Sequence, residues 1–266
     1  MVLHILSSII FLTNFISLMR ISIVTAAYNS AKTIKQTIDS VLSQDYPDIE
    51  YIVVDGASKD GTVDILKSYG DKIRWISEKD SGIFEAMNKG VKMATGEAVG
   101  IVGSDDFYPD NQAISKVAQA FKESKADSVY GDLHYVDNQN VDKVVRNWKS
   151  GPYNRNRFLN GWMPPHTAFF LKKSAYDTYG LYETSMPNAS DYELMLRMLY
   201  KHNISSFHIP AVLMKMRNGG NSNDSIQKRL IANREDRRAW EINDLSPRWY
   251  TLYAKPLSKV FQWIIK

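Results

Sequence analysis

An α/β fold, with a mostly parallel sheet flanked by helices, follows from two observations. Short apolar runs rich in Val and Ile alternate through the first half of the chain with longer stretches whose apolar residues recur at helical spacing, which is the pattern of βαβ units. Several of these runs end in acids, at Asp55, at Glu78 and Asp80, and at Asp105-Asp106. In open α/β sheets, ligands bind in the crevice outside the carboxyl ends of the strands.

Taken in order, residues 21–26 read as a buried strand and 31–43 as a helix with Ile34, Ile38, Val41 and Leu42 on one face. Residues 50–55 give a second strand and 60–69 a second helix; 72–77 and 83–94 repeat the pair. Residues 97–103 form a fourth strand that runs into the Asp pair, 111–124 a helix after Pro109-Asp110, and 128–130 a short strand. Beyond Gly131 the pattern changes. Residues 133–145 read as a polar hairpin turning at Asp-Asn-Gln-Asn, 147–162 as a loop, 168–171 as a strand, 190–202 as an apolar-faced helix and 226–240 as a basic one.

Composition narrows the class. With 44% hydrophobic and 23% charged residues, the chain of 266 residues is globular. It has no cysteine, so disulfides, thiolate nucleophiles and zinc-thiolate sites are excluded and a reducing compartment fits. From Lys228 onward nine Lys/Arg face four Asp/Glu, a surplus of five, against a whole-chain net charge of +4. The tail is basic and the remainder is near neutral. No nucleic-acid-binding motif accompanies that charge, and nucleic acid is not an expected partner. Neither a GxGxxG after the first strand nor a GxxxxGK[ST] occurs, which argues against a dehydrogenase or a P-loop ATPase.

At the Asp pair two hard oxygen donors seat Mg²⁺ or Mn²⁺ carrying phosphate; a turn with solvated acids is the plain alternative. Asp55 and Asp60 could equally cap the following helix, and Asp80-Ser81-Gly82 form an Asx turn. Several acids on one rim repel unless something positive binds there.

The residues then carry a resemblance. Tyr28-Asn29, the block Val54-Asp55-Gly56-Ala57-Ser58-Lys59-Asp60-Gly61-Thr62, Glu78-Lys79-Asp80-Ser81-Gly82-Ile83, Ala86-Met87-Asn88-Lys89-Gly90, Ala94-Thr95-Gly96-Glu97 and Ser104-Asp105-Asp106 resemble the family-2 glycosyltransferases of GT-A fold, in order and spacing, from Ile21 to about Gly131. A looser match continues through residues 164–170, 190–197 and 219–222. The chain is similar to bacterial enzymes that add sugars to lipid-linked O-antigen, capsule or exopolysaccharide units.

That resemblance implies a UDP-sugar donor, a Mn²⁺ or Mg²⁺ cofactor and a lipid-linked (undecaprenyl-diphosphate) saccharide acceptor, with the enzyme at the cytoplasmic face of a bacterial inner membrane. It implies that Asp55 accepts from the base, aided by Ala27, Tyr28 and Asn29, and that Asp80 with Gly82 and Asn88 lines base and ribose. Ser104 and Asp105 would face ribose or sugar, Asp106 would ligate the metal, and Asp191 would be the general base. His166 is either an acceptor contact or a hydrogen-bonded loop histidine; Asn221 and Ser222 stand on a loop near the diphosphate. Arg197 reads as a structural partner of an acid. Two departures stand out: Ala26 occupies a position that is proline in the family, and Ser190-Asp191 replaces an acidic pair.

Under this reading residues 20–245 form one catalytic domain, with 20–131 the nucleotide-sugar half and 132–245 the acceptor half. Residues 1–19 are a hydrophobic extension: a misassigned start, a membrane-associating helix or a signal-like segment. Residues 246–266, mixing Trp and Tyr with Lys and Arg, suit either a membrane interface or a helix packed on the domain. The rival classes are a sugar-nucleotide nucleotidylyltransferase, which needs a Gly-rich cationic loop where this chain has Ala-Ala-Tyr-Asn-Ser, and an inactive sugar-binding protein.

Overall fold

The computed structural model describes residues 18–219 and 226–260. Its elements are β1 (Ile21–Ala27), α1 (Ile34–Leu42), β2 (Ile49–Asp55), α2 (Thr62–Ser68), β3 (Arg74–Ser77), α3 (Ile83–Met93), β4 (Ala98–Ile101), α4 (Ala113–Ser124), β5 (Ser128–Val136), β6 (Val144–Trp148), β7 (Phe169–Lys172), α5 (Lys173–Tyr179), α6 (Ser190–Met195), β8 (Ser206–Arg217), α7 (Ile226–Ile242) and α8 (Thr251–Val260).

One sheet runs through the molecule in the order β3-β2-β1-β4-β7-β5-β6, with β8 on β5. β1 pairs in parallel with β2 and β4, and β2 with β3; β7 enters antiparallel between β4 and β5. The 3-2-1-4 portion is a doubly wound half-sheet, and its crevice opens where the order reverses beside β1. β1 is buried at every position, and its alternate residues feed two cores. Val24, Ile52 and Val54 pack with Phe84, Met87, Leu194 and Trp240; Ile23 and Val53 pack with Ile34, Ile38, Val117 and Phe121. Strands covered on both faces are apolar throughout, which is why they stand out in the sequence.

Several elements depart from their expected extents, for local reasons. α1 begins three residues later than expected because the Ser30 carbonyl closes a turn with the N–H groups of Thr33 and Ile34. α2 excludes Asp60, whose carboxylate instead receives the Thr62 N–H at 3.1 Å. β3 is shortened by a 3-10 turn over Gly70–Lys72. β4 ends at Ile101, so the acids stand in a turn beyond the strand. The short strand expected over 128–130 is the nine-residue β5, which crosses the boundary expected at Gly131 and pairs with β6, β7 and β8. β8 and α5 were not expected. Pro210 masks β8 in the sequence; it sits where the β5–β8 register slips between Tyr130 and Asp132, a bulge that tolerates proline. α6 continues as a π-helical turn, Leu196–Lys201.

The tail from Thr251 docks on the domain. Thr251 Oγ1 donates to the Leu159 carbonyl at 2.6 Å, and Thr251 and Leu252 are buried. The approach is close: a β-carbon at Gly161 (φ +74°) would run into the Lys255 backbone, so glycine is required there on both counts. Trp249 and Tyr253 remain outside, 85% and 63% exposed. Among the described residues no helix is long and apolar enough to cross a membrane. Residues 1–17 of the hydrophobic extension and 261–266 of the tail lie outside the described residues.

Candidate active site

The carboxyl ends of β1, β2 and β4 and the start of α6 build the site. Where the resemblance leads one to expect the base, Tyr28, Gly56 and Asp80 converge. A β-carbon on Gly56 would lie 3.3 Å from the Tyr28 ring and 3.4 Å from Asp80 Oδ2. Tyr28 is 68% exposed, a free aromatic face beside a carboxylate. Asp80 is nearly buried; Oδ1 is paired with Lys89, which also binds Glu78 at 2.8 Å, while the buried Oδ2 has no partner. Those two acids push the Lys89 ammonium up, so it stays charged.

The loop after β1 is pinned. Asn29 takes a left-handed conformation (φ 48°), its N–H donates to Ser58 Oγ at 2.7 Å and its Oδ1 accepts from Lys59 N–H at 3.0 Å. Ala31 N–H donates to Asp60 at 2.9 Å, and Ser30 N–H to Thr62 Oγ1 at 2.8 Å. The Asp-Gly-x-Ser-x-Asp-Gly-Thr block is therefore a brace for this loop.

Three of the residues expected to meet the donor also make hydrogen bonds within the protein. Asp55 is fully buried and accepts from Ser58 N–H at 2.9 Å, Ser58 Oγ at 2.5 Å and Ser77 Oγ at 2.6 Å, which fixes its carboxylate at the β2 exit. Ala27 is buried, and its carbonyl accepts from Gly56 N–H at 2.8 Å. Asn88 clasps Tyr182, its Nδ2 donating to the carbonyl and its Oδ1 accepting from the N–H, both at 2.9 Å; the amide ties α3 to the acceptor half. Gly82 opens α3 at the rim, and a β-carbon there would meet nothing within 4 Å.

Where the resemblance leads one to expect the diphosphate, Ser104 Oγ bonds Ser30 Oγ at 2.8 Å. Asp106 is 1% exposed, and neither carboxylate oxygen has a hydrogen-bond partner. Burial, and then neighbouring Asp105, push its carboxyl well above the usual range; the nearby Arg217 offsets part of this. Thr37 Oγ1 fixes the backbone by donating to the Asp106 carbonyl at 2.8 Å. A β-carbon on Gly103 would sit 2.7 Å from Asp106 Oδ2 and 3.2 Å from Asp105 Oδ1, so glycine leaves open a small cradle between the two carboxylates. An orphaned buried carboxylate, a second one beside it and that cradle fit a hard divalent cation. Among the described residues no group of three or more His, Cys, Asp or Glu gathers, so Asp106 with Asp105 would hold the ion, and phosphate and water would complete its shell.

Asp191 stands in the first turn of α6. A buried network fixes that helix: Arg197 forks onto Glu193 at 2.7 and 2.9 Å and donates to the carbonyls of Gly180 and Leu181 at 3.0 and 2.6 Å, and Asn243 donates to Glu193 at 3.0 Å. Arg197 is thus structural, as its spacing implied. Ser190 Oγ, in place of a second acid, is buried without a partner. His166 Nε2 bonds the Tyr182 hydroxyl at 2.7 Å, which lies 3.3 Å from that of Tyr176. Burial pushes the His166 imidazole down, with Asp191 opposing. Asn221 and Ser222 lie outside the described residues. Sequence reasoning missed Tyr182, whose only signal was an aromatic in a loop, and Lys89, which the i,i+4 spacing from Glu85 could have flagged.

Comparison with known proteins gives the family and the fold. The model of glycosyl transferase family 2 matches residues 22–180. An uncharacterized glycosyltransferase of Rickettsia felis is 30% identical over 190 residues, covering 67% of this chain and 31% of its own length; this chain thus spans about a third of that relative. A PGL/p-HBAD biosynthesis glycosyltransferase of Mycobacterium bovis is 27% identical over 216 residues, covering 79% and 82%. Among solved structures, S. aureus TarS 1–349 in complex with UDP-GlcNAc superposes with a TM-score of 0.67 at 19% identity, covering 86% of this chain and 68% of that one, a GT-A-like fold. The chain belongs to glycosyl transferase family 2.

Proposed function

We propose that the chain transfers a hexose (glucose, galactose or an N-acetylhexosamine) from a UDP-sugar, with inversion, to a lipid-linked (undecaprenyl-diphosphate) saccharide in O-antigen, capsule or exopolysaccharide synthesis. The observation that carries this reading is the orphaned Asp106 beside Asp105 in the turn beyond β4, with Asp191 in the first turn of α6 as the candidate base. In an inverting displacement the acceptor hydroxyl attacks the anomeric carbon as the nucleoside diphosphate leaves from the opposite face. Asp191 receives the hydroxyl proton, a role generally worth about 10²- to 10⁴-fold. Tyr28 and Asp80 hold the base and ribose, and Ser104 and Asp105 face the ribose or sugar. Mn²⁺ or Mg²⁺ bound at Asp106 supplies neutralisation of the charge developing on the departing diphosphate.

We place the protein at the cytoplasmic face of a bacterial inner membrane. The support is the exposed pair Trp249 and Tyr253 beside Arg248, rings and cation suited to the headgroup layer. The decisive experiment offers UDP-glucose, UDP-galactose, UDP-N-acetylglucosamine and GDP-mannose with Mn²⁺ and synthetic lipid-diphosphate acceptors. Transfer from a UDP-hexose that disappears in Asp191→Asn, with donor binding retained, is expected; full activity of Asp191→Asn would sink the base assignment.

A further inference from the structure

The chain beyond the Asp pair is stitched into the far side of the sheet, and the register of that stitching puts a tyrosine on the face of the sheet that carries Asp106. Phe107 forms an antiparallel bridge with Lys215 of β8. β8 runs parallel to β5 with Met216 opposite Tyr135, and β5 antiparallel to β6 with Tyr135 opposite Arg146. One step back along the Phe107 bridge sets Asp106 opposite Met216. Residues directly opposite across neighbouring strands share a face, so Asp106, Met216, Tyr135 and Arg146 make one row. Phe107 and Lys215 fall on the other face, where Lys215 and Arg217 cover the Phe107 ring at 5.9 and 5.5 Å.

Tyr135 is held within that row. The Arg146 guanidinium lies 4.5 Å over its ring and 5.5 Å over Trp148, a cation–π stack that fixes the ring plane. The phenol lies within electrostatic reach of both functional carboxylates: burial raises its pKa, Arg146 opposes, and Asp106 and Asp191 raise it further. Its hydroxyl, donor and acceptor at once, is thus on the face of the sheet that the register assigns to Asp106, and it feels the charge of Asp191 as well. In the proposed reaction the sugar passes from a diphosphate held at Asp106 to a hydroxyl activated by Asp191, so a group that feels both acids is placed to meet it.

We propose that Tyr135 contacts the donor hexose, its hydroxyl hydrogen-bonding a sugar oxygen, and that Arg146 is a positioning residue holding the ring at the angle this needs. The proposal rests on the reading of the site as that of a UDP-hexose transferase. It differs from a packing role in a measurable way, because only the sugar part of the donor is concerned.

Calorimetric titration of the full chain with Mn²⁺ and either UDP or a UDP-hexose tests it. The hexose used is the one among UDP-glucose, UDP-galactose and UDP-N-acetylglucosamine that the wild-type protein binds best. Tyr135→Phe keeps the ring and the Arg146 stack and removes only the hydroxyl. It is expected to weaken UDP-hexose binding about tenfold, the effect of one lost hydrogen bond, and to leave UDP binding within about twofold. Arg146→Lys, which keeps the charge but not the planar stack, is expected to give a smaller loss confined to UDP-hexose. Unchanged UDP-hexose binding in Tyr135→Phe overturns the assignment, and equal losses for UDP and UDP-hexose overturn it by moving the effect to nucleotide or metal. A wild-type protein that binds none of the three UDP-hexoses overturns the functional reading together with this one.

Discussion

The two ends of the crevice treat their buried acids in opposite ways. At the base end Asp55 receives three hydrogen bonds from Ser58 and Ser77; at the phosphate end Asp106, equally buried, receives none on either oxygen. A satisfied carboxylate is part of the scaffold, while an unsatisfied one carries its desolvation cost uncompensated until a cation arrives. Burial alone therefore does not mark a functional acid. What separates these two is how many donors each already meets.

That contrast can be broken most severely at Asp106. Asp106→Asn is expected to reduce transfer at least about 10³-fold in a discontinuous sugar-transfer assay. The same variant removes a carboxyl whose ionised form burial and Asp105 disfavour and is expected to raise the metal-free melting temperature by about 2–4 °C, the equivalent of about 1 kcal/mol in a chain of this size. A lower melting temperature would mean that the carboxylate is already paired. Asp55→Ala is expected to do the reverse, costing about 3 kcal/mol in denaturant unfolding, because three donors lose their acceptor.

Gly103→Ala sharpens the comparison without touching a carboxylate. Its methyl group would enter the space between Asp105 and Asp106, and Mn²⁺ affinity read by electron paramagnetic resonance is expected to fall at least about tenfold. Affinity equal to wild type would place the metal elsewhere. Tyr28→Ala at the opposite end is expected to weaken UDP binding about tenfold, the worth of one base–aromatic stack, with unfolding unchanged because the ring is mostly exposed.

The smallest effect concerns the acceptor wall, where the buried group is a base. His166 has its folded-state pKa lowered, chiefly by burial. The stability it contributes is present above the unfolded-state value of about 6.5 and is lost as pH falls through the lower folded value. His166→Gln is expected to make the acid limb of the stability–pH curve shallower below about pH 6.5; an unchanged limb would assign that slope to His134 and His202, which are lowered as well.

The nucleotide half was legible in the sequence because its strands are buried on both faces and its loops carry sharp signals such as Asp60-Gly61-Thr62. The acceptor half was less so. β8 mixes Pro210, His208 and Lys215 among its apolar residues because it pairs along one side of β5 and tolerates a bulge; neither alternation nor a continuous run survives that. Asp106 and Asp191 were readable as acids in motifs, and their positions at a turn beyond β4 and in the first turn of α6 follow the expectation. The engagement of Asp55 and Asn88 was not readable, since it depends on Ser77 and Tyr182, residues brought close only by folding. The Tyr135–Arg146 stack was equally hidden, because register, which sequence spacing does not encode, sets it.

Gly161 bears on how such a catalyst meets a surface. With no side chain there, α8 lies hard against the loop before Trp162, and the rings of Trp249 and Tyr253 stand on a packed bracket and not on a tether. A tether lets a domain roll and yaw freely above a bilayer; a bracket fixes its heading and its height. If lipid takes those two rings, the mouth of the crevice faces the membrane at one set angle, and the length of the saccharide stalk that can reach Asp191 is decided by the geometry of that mount.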